Sequence, residues 1–352
     1  MKKFIELTKD EEEHALELYK KSIVINCLDA STYDDEYIGI VKDAGITATA
    51  IGIGGGFDSV AARHSLIKRN PEVVLGPVTT VKEIRHAKDE GKVAAFFNAQ
   101  NSTMLIQGPR PNFALLPLYY KLGLRILMPT YNTRNLFAEG CDERTNGGRS
   151  KYGLELVEEI NKLNIIYDSS HMGIQDTLDG CEYAKFPVCT HSNARAVCDN
   201  VRNRTDEEIK AIAEKDGVLG IVTYPSFVKW TKTEEGEKPT IEDVLDHIDY
   251  IAKLVGVKHV GFGFDFIEGP AGPDDRAKRL RPPRPDDELL ARPNVWGKPA
   301  PSGYWEYAED IDNITKTPNI AKGMVARGYS DTEIRGVLGE NWLKVFKRVW
   351  GE

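Results

Sequence analysis

Residues 165–204, IIYDSSHMGIQDTLDGCEYAKFPVCTHSNARAVCDNVRNR, decide the fold. Two short apolar runs, 165–167 and 187–189, each lead through small polar residues to a histidine, His171 and His191. That is the pattern of two buried parallel strands whose C-terminal ends deliver imidazoles to one place. The segment between them, 174–183, has the length of one crossover helix, so the unit reads as strand, helix, strand. In such a unit ligands bind outside the carboxyl ends of the strands. A plainer role exists for each histidine, as a satisfied polar residue closing a barrel. Two of them together favour function, because neutral imidazole is the commonest metal ligand.

Working outward, the same alternation continues on both sides. Before this unit, apolar runs at 22–28, 47–53, 93–99 and 125–131 predict strands, and 218–224 and 257–266 predict two more after it. Helical patterning fills the intervals at 10–20, 35–42, 59–68, 81–90, 112–121, 154–163, 206–215 and 241–254, with Thr205 and Glu208 forming a capping box. Eight strands separated by helices predict an α/β fold of the (β/α)8 TIM-barrel type, whereas a doubly wound open sheet would not need eight. The stretch 269–301 breaks the pattern with eight prolines and can be neither helix nor central strand. It reads either as a loop near the site mouth or as a solvated surface insertion, within one domain spanning 1–352. Ser330 and Glu333 form a second capping box, and a helix over 341–350 puts Trp342, Val345, Phe346 and Val349 on one apolar face, suited to barrel packing or a subunit contact.

Composition narrows the partners. The chain has 352 residues, 41% hydrophobic and 28% charged, with a formal charge of -8, so no basic surface invites nucleic acid. The first seven residues are too short and too charged for a signal peptide, and no apolar stretch has the length a bilayer needs. Five cysteines without a CxxC pair imply a reduced, cytoplasmic protein.

The polar residues at the strand ends are Cys27 and Asp29, Gln100 and Asn101, Tyr131 and Asn132, His171, His191 and Asp265. Two histidines and a carboxylate converging in a barrel mouth suit a divalent metal such as zinc, which polarises a carbonyl or activates water. Arg202 is placed to hold a carboxylate bidentately, or to serve as an ordinary helix-start ion pair. The remaining histidines carry less weight. His14, His64, His86 and His247 fall within predicted helices, and His259 falls at the stability face of the barrel.

Several runs now carry a resemblance: GLRILMPTYNTRNLFAEGCDERTNGG, YGLELVEEINKLNIIYDSSHMG, PVCTHSNARAVCDNVRNRTDEEIKAIAEKDGVLGI, VGFGFDF and GENWLKVF. In order and spacing the chain resembles the membrane dipeptidase (renal dipeptidase) family of the amidohydrolase superfamily, over most of its length. The resemblance implies a (β/α)8 barrel with two bridged zinc ions, cleaving dipeptides and related amides, often as a homodimer. It matches His171 and His191 to the histidines of the second zinc, Asp265 to the proton acceptor and donor, and Arg202 to the arginine holding the substrate carboxylate.

The departures are equally specific. Where the family has His-x-Asp, this chain has Cys27, Leu28 and Asp29; where it has a bridging glutamate, it has Gln100 followed by Asn101 and Ser102; where it has a polarising histidine, it has Tyr131. A neutral amide brings no charge to offset the repulsion of two zinc ions. The expectation is therefore one divalent metal, one zinc per chain, on His171 and His191 with Asp265 and water, and with Gln100, Asp29 and Cys27 as further candidate ligands. The reaction expected is hydrolysis of an amide or other C–N bond in a small carboxylated substrate. In it Asp265 moves the proton, Tyr131 replaces the histidine as oxyanion donor, and Arg202, Asn132, Gln100 and Asn101 bind substrate. A metal-dependent lyase or decarboxylase, and a non-catalytic small-molecule-binding homologue, are the alternatives. No nucleic-acid or membrane partner is expected.

Overall fold

The computed structural model describes residues 3–54, 56–229, 238–268 and 307–352. The proline-rich stretch 269–301, expected near the site mouth, lies outside the described residues.

Eight parallel strands make the barrel: β1 (Ile25–Asp29), β2 (Ala48–Gly52), β3 (Val93–Ala99), β4 (Leu124–Leu127), β5 (Ile166–Asp168), β6 (Pro187–Val188), β7 (Leu219–Ile221) and β8 (Val260–Phe262). β1 to β6 pair in sequence order, and β7 pairs with β8. Beyond these ladders, Cys189 N–H donates to Val218 O and Gly220 N–H to Cys189 O, joining β6 to β7. Asp265 N–H donates to Leu28 O and Ala30 N–H to Phe266 O, so the chain leaving β8 closes on β1. This is the barrel that the alternation of strands and helices predicts.

The elements differ from expectation mainly at their edges. The strand expected at 257–266 is regular only over Val260–Phe262, because Val257–His259 forms a 3-10 turn and Asp265 takes a left-handed backbone at φ 56°. Short strands at Val74–Leu75, Ile106–Gln107 and Arg110–Pro111 carry too little patterning to be predicted. Both capping boxes are formed, at Thr205 with Glu208 and at Ser330 with Glu333.

Strand alternation sorts the core into two layers. Ile25, Cys27, Ala48, Ala50, Ala94, Phe96, Ile126, Ile166 and Val188 pack with Trp342 and Phe346 of the C-terminal helix Asn341–Trp350. Their neighbours along the strands, such as Ile51, Ala95, Phe97 and Leu127, pack with the surrounding helices instead. The apolar face of the last helix therefore plugs one end of the barrel, where small residues on β1 to β3 leave room for Trp342, whose Nε1–H donates to Phe262 O at 3.1 Å. Filling that end leaves the opposite, carboxyl end to carry chemistry. There Gly263 is required by close approach, since a Cβ at this position would collide with Thr190 O beside the histidine of β6.

Trp342→Ala removes a fully buried indole and should cost about 3–5 kcal/mol of stability. Urea denaturation of the two proteins checks this. A loss under about 1 kcal/mol would mean that the helix does not plug the barrel.

Candidate functional site

The two histidines meet. His171, three residues past β5, and His191, three past β6, are both buried, and their Nε2 atoms lie 2.9 Å apart. Burial, with the neighbouring positive charge of Arg202, holds both imidazoles well below their ordinary pKa, so both are neutral. Each ring has a partner on its far nitrogen. His171 Nδ1 meets Asn132 Oδ1 at 2.5 Å and His191 Nδ1 meets Thr190 Oγ1 at 2.7 Å. The Tyr131 ring stacks on His171 with centroids 3.9 Å apart.

Arg202 is buried alongside. Its NH1 donates to Ser170 O and, at 3.3 Å, to Ser192 Oγ, and its NH2 donates to His191 O at 3.2 Å. Its guanidinium lies 5.0 Å from the Phe227 ring centre, and its Nε has no hydrogen-bond partner among the described residues. Among the described residues no carboxylate pairs with it, in contrast to Arg204, two positions on, which is neutralised by Glu208 at 2.8 Å. A buried cation without a counter-ion is a place for an anion.

Asp265 is partly buried at the left-handed position noted above, and its backbone carbonyl accepts from Tyr307 OH at 2.7 Å. Burial raises its carboxyl to about 7, against the lowering influence of Arg202 and with a further upward push from Asp29. Tyr131, although 41% exposed, has its hydroxyl pushed up to about 12 by burial and by Asp265.

The other expected residues are placed differently. Asp29 is buried with both oxygens occupied: Oδ1 accepts from Ser31 N–H at 2.9 Å, and Oδ2 from Asn26 Nδ2 at 3.2 Å and from Tyr33 OH and Tyr37 OH at 3.1 Å. Cys27, named as a candidate ligand, packs in the inner core, where burial pushes its thiol well up. Asn101 Oδ1 accepts from Thr103 N–H at 2.9 Å and from Asn135 Nδ2 at 3.3 Å, and Gln100 is part-buried. Asn132, expected to bind substrate, meets His171 Nδ1 with its Oδ1. Among the described residues no group of three His, Cys, Asp or Glu side chains is assembled to hold a metal ion, so Asp265 is not drawn into such a group with the two histidines.

Sequence reasoning missed Asp168 and Thr190. Asp168 ends β5 and accepts from Ser170 N–H (3.0 Å), Ser170 Oγ (2.6 Å), Thr190 N–H (3.0 Å) and Thr190 Oγ1 (2.5 Å). The available signal was local: Asp168 lies three residues before His171, and Thr190 immediately before His191, both inside otherwise apolar strand ends. Two neutral imidazoles whose Nε2 atoms are 2.9 Å apart are donors of the kind a divalent cation takes.

The sequence model of the family described as membrane dipeptidase (peptidase family M19) matches residues 56–297. The chain is 25% identical to the dipeptidase aclJ of Aspergillus oryzae over 294 residues, 82% of this chain and 60% of that protein. It is 25% identical to the dipeptidase verJ of Clonostachys rogersoniana, over 81% of this chain and 63% of that one. The chain thus spans about three-fifths of the length of these curated relatives. An amidohydrolase structure from Pseudomonas aeruginosa superposes with a TM-score of 0.80 at 29% identity, covering 96% of this chain and 99% of the other.

His247 supports the site from behind. It is buried, its Nδ1 accepts from Ala194 N–H at 3.3 Å in the loop after His191, and its Nε2–H donates to Val228 O at 2.9 Å. Burial lowers its pKa from 6.5 to about 4. The fold therefore holds the neutral form, and the stability this contributes is complete above pH 6.5 and lost as pH falls towards 4. The stability gap between the wild type and His247→Gln should shrink by up to ~3 kcal/mol between pH 7.5 and 4.5, as read by urea denaturation. A constant gap would remove His247 from the acid response.

Proposed function

The chain belongs to the membrane dipeptidase family, and from that premise we propose that it is a metal-dependent hydrolase of an amide or other C–N bond in a small carboxylated molecule, working with one divalent metal, zinc by preference. One observation carries this proposal: two neutral, buried imidazoles present Nε2 atoms 2.9 Å apart beside a buried arginine that has no acid partner among the described residues. His171 and His191 would hold the metal. When bound, the cation would supply Lewis acidity to a substrate carbonyl and to water.

The chain's own residues do the rest. Arg202 pairs with the substrate carboxylate, which supplies an ion-pair partner and a hydrogen-bond acceptor for Nε that the described residues do not. Asp265, with a carboxyl raised to about 7, accepts a proton as carboxylate and returns it to the leaving nitrogen. Tyr131, with its hydroxyl raised to about 12, stays protonated at neutral pH and donates a hydrogen bond to the developing oxyanion. One metal rather than two is supported by Asp29, whose lone pairs are taken by two tyrosine hydroxyls, a serine amide and an asparagine, and by the neutral Gln100. Five free cysteines support a reduced, cytoplasmic setting, and no helix among the described residues is long and apolar enough to cross a membrane.

Protein purified without chelators or affinity metal should carry about one equivalent of divalent metal by elemental mass spectrometry, and His171→Ala should carry none. A wild type that stays metal-free after added zinc would overturn the hydrolase proposal in favour of a binding role. Arg202→Met should raise KM for a carboxylated substrate roughly tenfold to a hundredfold, the worth of a charged hydrogen bond. An unchanged KM would make the arginine a purely structural tie.

A further inference from the structure

The hydrogen bonds around the two imidazoles fix where their ring protons lie. A neutral imidazole carries one N–H and one lone pair, and the partner of one ring nitrogen decides which nitrogen carries which. Thr190 has one hydroxyl proton, and it goes to Asp168 Oδ2 at 2.5 Å. Ser170 likewise gives its hydroxyl proton to Asp168 Oδ1 at 2.6 Å while accepting from His191 N–H at 3.1 Å. Thr190 Oγ1 therefore faces His191 Nδ1, 2.7 Å away, as an acceptor, and His191 must carry its proton on Nδ1. Its Nε2 is left as a lone pair.

The same holds on the other ring. Asn132 Oδ1 is an acceptor, and it sits 2.5 Å from His171 Nδ1, which must then be the protonated nitrogen. His171 Nε2 is also a lone pair. The two Nε2 atoms, 2.9 Å apart, then turn their lone pairs toward the same space, where one cation can take both.

We propose that Asn132 and the Asp168–Thr190 pair are positioning residues that hold His171 and His191 as Nδ1–H tautomers, so that both Nε2 lone pairs are presented to one cation. Asn132 is thereby moved from the substrate side of the site to the support of a ligand. It reaches His171 from the loop after β4, across 39 residues of sequence. Asp168 acts through Thr190, and its four donors fix it as the acceptor that takes the threonine proton. The arrangement is a carboxylate–hydroxyl–imidazole relay on one ligand and an amide–imidazole pair on the other. The inference rests on the one-metal proposal above, with zinc as the cation.

Two readouts test it on the full chain. In the metal-free protein carrying 15N-histidine, two-bond 1H–15N correlation spectra report each tautomer, with His171→Gln and His191→Gln assigning the signals. Both rings should be Nδ1–H in the wild type. Asn132→Leu should move His171 to Nε2–H and weaken zinc binding, by chelator competition, roughly tenfold to a hundredfold. Asn132→Asp keeps an acceptor and should retain both the tautomer and the affinity, and Thr190→Val should repeat the loss at His191. A wild-type His171 protonated on Nε2, or wild-type zinc affinity in both Asn132→Leu and Thr190→Val, would overturn the proposal. Absence of zinc uptake by the wild type would overturn the metal proposal instead. The two failures are told apart because the tautomers are read without metal.

Discussion

Two imidazoles and a guanidinium are buried at one end of a barrel with no carboxylate ion-paired to the guanidinium among the described residues, and much of the local structure exists to make that tolerable. Burying polar groups costs several kcal/mol each unless their hydrogen bonds are met. Here the cost is offset by strand-end backbone and by short polar side chains. Arg202 donates to Ser170 O and His191 O, and so ties together the chain leaving β5 and the chain leaving β6. The same charge helps keep both histidines neutral. Stability and ligand readiness thus come from one side chain, which leaves its remaining capacity for an anion from outside.

The opposite half of the barrel mouth has been settled differently. At the end of β1, Asp29 spends both oxygens on Ser31, Asn26, Tyr33 and Tyr37. Hydrogen-bond donors satisfy that carboxylate where a cation would otherwise be needed. Its charge still reaches Asp265 and helps raise that carboxyl. Cys27, where the resemblance implies a histidine, has a matching physical account: the thiol packs with Ile25, Ala48 and Phe96 in the inner core and asks for no polar partner. On this side of the site the carboxylate and the thiol are both satisfied within the protein.

Much of this was legible in the chain, and the limits of legibility follow from range. The helix 174–183, the caps at Thr205 and Ser330 and the apolar face of the last helix were read correctly, since each rests on contacts within a few residues. Strand edges were read too long after β4 and around β8, where turns and the left-handed Asp265 end regular pairing before the apolar pattern stops. The contact of Asn132 with His171 was not legible, because the polarity of Asn132 was visible and its direction was not. Asp168 was overlooked because an acid closing an apolar strand looks like a boundary, while its four donors come from β5 and β6 together.

The sequence by itself determined the eight-stranded barrel, the delivery of His171 and His191 to its carboxyl end and the neutral residue at Gln100, because periodicity and residue chemistry are local properties. Only the tertiary structure decided that the two Nε2 atoms converge, that Asp29 is spent inside the protein, that Arg202 lacks an acid partner among the described residues, and that Asn132 meets a histidine. Each of these depends on which side chains from different strands share one small volume, and a hydrogen bond between residues 39 apart leaves no periodic trace in the chain.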